Sequence, residues 1–139
     1  MKIMLVCSTN FYSKVDEILP KLTSLGHTVI TPNSYDSTEQ EPDFDEMTYE
    51  EYTNFFQSMF HKSREKIGKV DAILVLNYTK EKHGKKLGNY IGASTFLEMY
   101  EALMQNKKIY MMNNYPDNML LDEIKGMNPI IINGDLTKI

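Results

Sequence analysis

Short, continuous apolar runs constrain the fold of this chain more than any other feature. Five segments are of this kind: residues 3–7, 29–30, 72–76, 109–112 and 129–132. They are too short for helices, and unbroken rather than alternating apolarity is typical of strands covered on both faces of a parallel sheet. Turn-forming residues such as Asn33, Asn77, Asn113 and Gly134 bound these runs. We therefore predict five buried parallel strands.

Helical patterns separate the strands. Residues 13–25 carry apolar side chains at helical spacing and stop at Gly26, and residues 48–67, 95–105 and 118–125 are three further helices. The third helix is predicted to bury Phe96, Tyr100, Leu103 and Met104. Polar residues 33–47 predict a long acidic loop, and residues 80–86, with four lysines, predict a basic one. Alternating strands and helices predict a single α/β domain, residues 1–139, with a flavodoxin-like doubly wound sheet of order 2-1-3-4-5.

Composition narrows the range of functions. The chain has 139 residues and a formal net charge of -4, so it lacks the basic surplus that a nucleic-acid polymer requires. No apolar run approaches the roughly 20 residues that cross a bilayer, and residues 1–2 lead into a strand rather than a signal peptide. The single cysteine, Cys7, excludes an internal disulfide and fits a reducing compartment. We expect a cytoplasmic protein that binds no membrane.

Polar residues stand at the ends of the predicted strands, where ligands bind in open parallel sheets. Hydroxyls and amides suit a hydroxyl-rich ligand such as a sugar, although the turn propensity of asparagine and serine explains any single position as well. The candidate ligand contacts at these ends are Ser8, Thr9, Asn10, Asn77, Tyr78 and Asn113. The first loop has no phosphate-binding glycines, which argues against a dinucleotide or Walker motif. His83 has no partner at ligand spacing, so we predict no metal site.

Glu98 has two interpretations that the pattern does not separate. With Thr95 as N-cap it completes a Thr-x-x-Glu capping box, which is a structural role. A carboxylate in the first turn of a helix that follows a parallel strand also lies at the ligand-binding edge of the sheet.

The stretches 71–76, 92–102 and 107–110 resemble the nucleoside 2-deoxyribosyltransferase superfamily, which includes the 2′-deoxynucleoside 5′-phosphate N-hydrolases. The motif of the family ends in a small-residue turn, a glutamate and an alanine four residues later, and Glu98 and Ala102 occupy those places. The resemblance implies that Glu98 is the nucleophile and that Ser8 and Thr9 contact sugar or phosphate. It also implies that subunits complete one another's sites.

Two positions depart from the family pattern. Ser63 stands where members carry a catalytic aspartate, and Ser94, a further candidate ligand contact, replaces the glycine four residues before Glu98. The leaving base needs a group that protonates or holds it. The candidates for this role are His61, Asn77, Tyr78, Asn89 and Tyr90.

The resemblance implies N-glycosidic cleavage or transfer on a (deoxy)nucleoside or nucleoside 5′-monophosphate, with no organic cofactor or metal. Two alternatives stay open: a nucleoside- or nucleotide-binding module without chemistry, and a flavin-binding electron carrier on the same fold. The aromatic surface of the second helix predicts a homodimer or higher homo-oligomer, unless these side chains form an ordinary core stripe. This surface consists of Tyr52, Phe55, Phe56, Met59 and Phe60.

Overall fold

One five-stranded parallel sheet forms the centre of the protein. The computed structural model describes residues 1–36, 43–117 and 119–139. The strands of the sheet are β1 (Lys2–Val6), β2 (Thr28–Ile30), β3 (Ala72–Val75), β6 (Lys108–Met111) and β7 (Ile130–Ile131), in the order β2-β1-β3-β6-β7. This order is the predicted 2-1-3-4-5, because the two remaining strands, β4 (Lys80–Lys82) and β5 (Lys85–Leu87), lie outside the sheet. The predicted flavodoxin-like α/β fold is therefore confirmed.

Helices cover both faces of the sheet. They are α1 (Tyr12–Ser24), α2 (Tyr49–Gly68), α3 (Ala93–Met104) and α4 (Leu121–Gly126). Side chains of α1 and the C-terminal 3-10 turn pack on one face, whereas α2, α3 and α4 pack on the other. Every side chain of β3 is buried, as continuous apolarity predicts for a central strand. No helix in the described part of the chain is long and apolar enough to cross a membrane.

The prediction of a basic loop over residues 80–86 is wrong, because this segment forms a β-hairpin. Strands β4 (Lys80–Lys82) and β5 (Lys85–Leu87) pair in antiparallel register, with Lys80 opposite Leu87. Its two-residue turn has positive φ at both positions, 52° at His83 and 74° at Gly84. Such a turn matches the right-handed twist of the paired strands, which explains how a segment without an apolar pattern forms a hairpin.

Helix α3 begins earlier than predicted. Its N-cap is Gly92, so Thr95 lies inside the helix and the predicted capping box does not exist. The predicted apolar face is also wrong at Tyr100 and Met104, which are exposed, whereas Met99 and Ala102 are buried against the sheet. This placement puts Glu98 in the second turn of α3.

Two other predicted boundaries fall on residues that the structure does not describe. Within the predicted acidic loop, residues 37–42 are not described, and Phe44–Glu46 forms a short 3-10 turn capped by the Asp43 side chain. The predicted start of the fourth helix, Asn118, also lies outside the described residues, and α4 begins at Leu121.

Candidate active site

A cavity of about 800 Å³ opens at the carboxyl edge of the sheet. Its walls are the residues that follow β1 and β2, the inner face of α2 and the first turns of α3. This is the edge where open parallel sheets bind ligands, because strand ends and helix N-termini converge there. The volume is in the range of ordinary small-molecule sites.

The carboxyl group of Glu98 lies in this cavity at the end of a hydrogen-bonded chain. The Ser63 hydroxyl of α2 donates to Glu98 Oε2 at 3.1 Å. Asn33, three residues after the last residue of β2 in the loop that follows it, donates from Nδ2 to Ser63 Oγ at 2.7 Å and to the Met59 carbonyl at 3.3 Å. Ser63 is buried, although it lies among polar neighbours in the sequence. Three separate elements thus converge on one carboxyl group.

Burial raises the pKa of Glu98 from 4.5 to about 7. The cause is desolvation, which disfavours the charged form of a carboxyl group. The hydrogen bond from Ser63 and the positive charge of Lys66 act in the opposite direction. Lys66 is itself partly buried and donates to the Thr31 carbonyl at 2.6 Å. Glu98 can therefore exchange a proton near neutral pH, as groups at functional sites often do.

Cys7 and Tyr12 line the same cavity and hold their protons. Burial, followed by the negative charge of Glu98, raises the pKa of the Cys7 thiol to about 12. Burial also raises the pKa of Tyr12, and hydrogen bonds with Ser34 partly offset this. A thiol with so high a pKa is a poor nucleophile. Glu98 is therefore the stronger candidate for the reactive group.

Aromatic rings form the opposite wall of the cavity. They pack edge-on or tilted with ring centroids 4.8 to 6.2 Å apart, which are favourable distances for aromatic pairs. Four of the five rings line the cavity, the exception being that of Tyr52. We call this group the aromatic cluster; it consists of Phe44, Tyr52, Phe55, Phe56 and Phe60.

An ion pair in the cavity lining joins α2 to α3. Arg64 binds Glu101 through two contacts, Nε to Oε1 at 2.8 Å and Nη2 to Oε2 at 3.3 Å. Gln105 donates to the same carboxylate at 2.9 Å. These bonds, chiefly that of Arg64, lower the pKa of Glu101. Glu101 is therefore a paired anion, in contrast to Glu98 one helical turn before it.

The structure brings together four of the predicted site residues. Ser8, Thr9, Ser94 and Glu98 all line the cavity. Asn10 lies outside its lining and donates from Nδ2 to Ser8 Oγ at 2.7 Å. Of the predicted donors to the leaving group, His61 lines the cavity and the other four do not.

Asn77 and Asn113 join the ends of two strands. Asn77 is fully buried, and its amide donates to the carbonyls of Asn113 and Asn114 at 3.2 and 2.9 Å. In return, Asn77 Oδ1 accepts from the Asn113 backbone N–H at 2.9 Å, and the Asn113 side chain donates to the Asn77 carbonyl at 2.8 Å. These bonds satisfy buried polar groups after β3 and β6, which is a structural role.

Tyr78, Asn89 and Tyr90 lie on the other side of the sheet edge. The rings of Tyr78 and Tyr90 pack edge-on against Phe11, at centroid distances of 5.8 and 6.4 Å. Asn89 has a positive φ of 52° and donates to the Tyr115 carbonyl at 3.4 Å. None of the three lines the cavity.

Residues 1–36, 43–117 and 119–139 contain no group of three or more histidine, cysteine, aspartate or glutamate side chains placed to hold a metal ion. The acidic, basic and histidine side chains that line the cavity in the described part of the chain are Glu98, His61, Arg64 and Glu101.

No protein-family model matches the sequence, and no curated protein matches it. Solved structures do match the fold. A 2-deoxyribosyltransferase from Bacillus psychrosaccharolyticus has a TM-score of 0.53 and 21% identity, over 81% of this chain and 72% of that one. A CMP N-glycosidase from Clostridium botulinum has a TM-score of 0.51 and 16% identity, over 96% and 90%. This chain therefore shares its fold with both of these enzymes. A conserved protein from Enterococcus faecalis V583 shares it, with a TM-score of 0.53 and 11% identity over 92% and 72%.

Several residues that line the cavity are not among the candidate contacts predicted from the sequence. Asn33 stands just after a predicted strand, where open parallel sheets bind ligands, and this position is the signal that could have identified it. Tyr12 and Ser34 carried no signal of their own. The aromatic surface of the second helix is predicted to be an oligomer surface or a core stripe, whereas four of its five side chains line the cavity, namely Phe55, Phe56, Met59 and Phe60.

Proposed function

We propose that this protein cleaves or transfers the N-glycosidic bond of a (deoxy)nucleoside or nucleoside 5′-monophosphate, with Glu98 as the nucleophile. The observation that carries the proposal is the Glu98 carboxyl group in a cavity of about 800 Å³, facing aromatic rings and hydrogen-bonded to Ser63. A 2-deoxyribosyltransferase and a CMP N-glycosidase share the fold, which supports the same class of chemistry.

The reaction has two steps. A carboxylate oxygen of Glu98 attacks C1′ of the sugar, the C1′–N bond breaks, and its electron pair leaves with the base, which takes up a proton. Water then attacks C1′ and releases Glu98 and the free sugar; if a second base attacks instead, the product is a new nucleoside. Both steps pass through an oxocarbenium-like state, which the negative charge of Glu98 stabilises.

The aromatic cluster supplies a surface for the base. Flat apolar rings suit the face of a nucleobase, because stacking is favourable for any base and does not depend on its hydrogen-bonding pattern. The polar residues on the other side of the cavity, Ser8, Thr9 and Ser94, suit the hydroxyl groups of the sugar. His61 lies in the cavity lining and is our candidate to protonate or hold the leaving base.

Release of free base tests the proposal. Purified protein is incubated with a panel of ribo- and deoxyribonucleosides and their 5′-monophosphates, and free bases are separated by chromatography. We expect release from at least one substrate and a loss of at least about 10³-fold in Glu98→Gln, because the neutral amide cannot attack. Glu65→Gln is the matched control, since Glu65 is exposed on α2 and pairs with Lys69. A ligand that raises the melting temperature without turnover would instead support a non-catalytic binding module.

We also propose that two copies pair through an apolar face of α2 and α3, in the reducing cytoplasm that Cys7 fits. Large apolar side chains of both helices, which pack against each other, are exposed: Tyr49, Tyr52, Phe60, Leu97, Tyr100 and Met104. Large exposed apolar side chains that lie together are typical of an interaction surface. Light scattering at micromolar concentration should give twice the monomer mass or more, and a monomer would contradict the proposal.

A further inference from the structure

The orientation of the Asn33 amide is determined by helix α2. Its Nδ2 lies 3.3 Å from the Met59 carbonyl oxygen. A carbonyl oxygen only accepts hydrogen bonds, so the amide nitrogen, not the amide oxygen, must face it. The same nitrogen lies 2.7 Å from Ser63 Oγ and donates its second proton there.

This arrangement determines where the Ser63 proton goes. A serine inside a helix often turns its hydroxyl back onto the carbonyl four residues earlier, which for Ser63 is that of Met59. That carbonyl oxygen already accepts one hydrogen bond from the helical backbone N–H and a second one from the Asn33 amide, so both of its lone pairs are in use. Since Asn33 also donates to Ser63 Oγ, the single proton of the hydroxyl is directed to Glu98 Oε2, 3.1 Å away.

We propose that Asn33 is a positioning residue, which directs the Ser63 proton to Glu98 and so favours an ionised nucleophile whose other oxygen, Oε1, is free to attack. The inference rests on the proposed function for its catalytic meaning. The direction of the Ser63 proton depends only on the hydrogen bonds among the side chains of Asn33, Ser63 and Glu98.

The amide oxygen of Asn33 also supports a polar role for this residue. Asn33 Oδ1 is buried and meets no donor among the described residues. Burying an unsatisfied amide oxygen is unfavourable, and an apolar side chain of similar size would avoid it. A residue that served packing alone would therefore not need this amide.

The direction of the effect on Glu98 follows from its surroundings. Burial raises the pKa of Glu98 to about 7, and the Ser63 hydrogen bond works against this rise. Loss of the donated proton should therefore raise the pKa further. Lys66 on α2 also acts on Glu98, and Lys62 and Asp36 lie around Lys66. The other titratable or charged side chains of the same cavity are Cys7, Tyr12, His61, Arg64, Tyr100 and Glu101. The variants below leave all of these groups unchanged.

The test measures the pKa of Glu98 without any substrate. The unfolding free energy of each protein is compared with that of its Glu98→Gln partner between pH 4 and 9. A fit of the difference to one titration in the unfolded state and one in the folded state gives the midpoint of the folded-state titration, which is the pKa of Glu98 in the folded protein. The backgrounds are wild type, Asn33→Leu and Ser63→Ala, with Ser63→Thr to restore the hydroxyl. Ser58→Ala, the same change at an exposed position of α2, is the matched control.

We expect the midpoint to rise by about one pH unit in Asn33→Leu and Ser63→Ala, and to stay in place in Ser63→Thr and Ser58→Ala. If Asn33→Leu does not fold, Asn33→Ala removes the same amide without its bulk. A midpoint that moves in Ser63→Ala but not in the Asn33 variants would overturn the role of Asn33.

Activity gives a second measurement. The acid limb of the kcat/KM profile should shift by the same amount in the same variants. Absence of base release by the wild type would refute the proposed function, whereas the stability midpoints would still decide whether Asn33 acts on Glu98. The two failures are therefore distinguishable.

Discussion

Replacing Glu98 by glutamine should stabilise the protein at alkaline pH and leave its stability unchanged in acid. The folded state raises the pKa of Glu98 from 4.5 to about 7, so it favours the protonated acid. Below pH 4.5 the group is protonated in both states and burial carries no charge penalty. As the pH rises towards and through 7, the folded protein must hold a partly buried, desolvated carboxylate, and stability is lost. Glutamine at position 98 is neutral at every pH, so the variant does not lose this stability.

The magnitude follows from the size of the shift. One pKa unit is worth ~1.4 kcal/mol, so a rise from 4.5 to about 7 corresponds to about 3 kcal/mol above pH 8. For a domain of this size, that is a difference in melting temperature of roughly 10 °C. Urea unfolding at pH 4.5, 6, 7 and 8.5 measures it, because other titrating groups cancel in the difference between the two proteins.

The neighbouring carboxyl group, that of Glu101, provides a control in which the expected change in stability has the opposite sign. Arg64 and Gln105 lower the pKa of Glu101, so Glu101→Gln should lose stability at neutral pH relative to wild type, and lose less in acid. A Glu98→Gln stability difference that is constant with pH, or that favours wild type above pH 7, would refute the assignment of a buried, desolvated carboxyl group.

Three further predictions concern the site and its supports. The kcat/KM for base release should fall about tenfold per pH unit below the Glu98 pKa of about 7, since only the carboxylate attacks; a flat profile from pH 5 to 8 would contradict this. Asn77→Ala should cost roughly 2–4 kcal/mol in urea unfolding, because it removes a fully buried amide with partners on two strands; a loss no larger than that of exposed Asn10→Ala would count against it. Cys7 should react with a thiol reagent at pH 8 about 10³-fold more slowly in the folded than in the unfolded chain, because its pKa is about 12; equal rates would disprove its burial.

The order of the sheet could be predicted from the sequence, because each buried strand is a local apolar run and the connections between strands follow general rules. The β4–β5 hairpin could not, since its strands carry lysines rather than an apolar pattern. Its signal was the glycine in a two-residue turn, His83–Gly84.

The candidate site was predictable only in part. Ser8, Thr9 and Ser94 follow a strand or begin a helix, so a local rule places them at the cavity, and Glu98 lies one turn after Ser94 on the same helix. The contact between Asn33 and Ser63 joins residues 30 positions apart and depends on how α2 packs against the sheet. The false capping box shows the limit of a local pattern: Thr95 has the right spacing to Glu98, but the chain enters the helix at Gly92.

Mass spectrometry of a trapped intermediate tests the central claim most directly. A 2-deoxy-2-fluoro nucleoside slows the second step by destabilising the oxocarbenium-like state, so a covalent adduct should accumulate. Trypsin then releases residues 87–107, which contain both Glu98 and Glu101. Our account predicts that this peptide gains the mass of the fluorinated sugar, that fragmentation places the added mass on Glu98, and that Glu98→Gln shows no adduct. An adduct on Glu101 or on another peptide, or one that persists in Glu98→Gln, would contradict the assignment of Glu98 as the nucleophile.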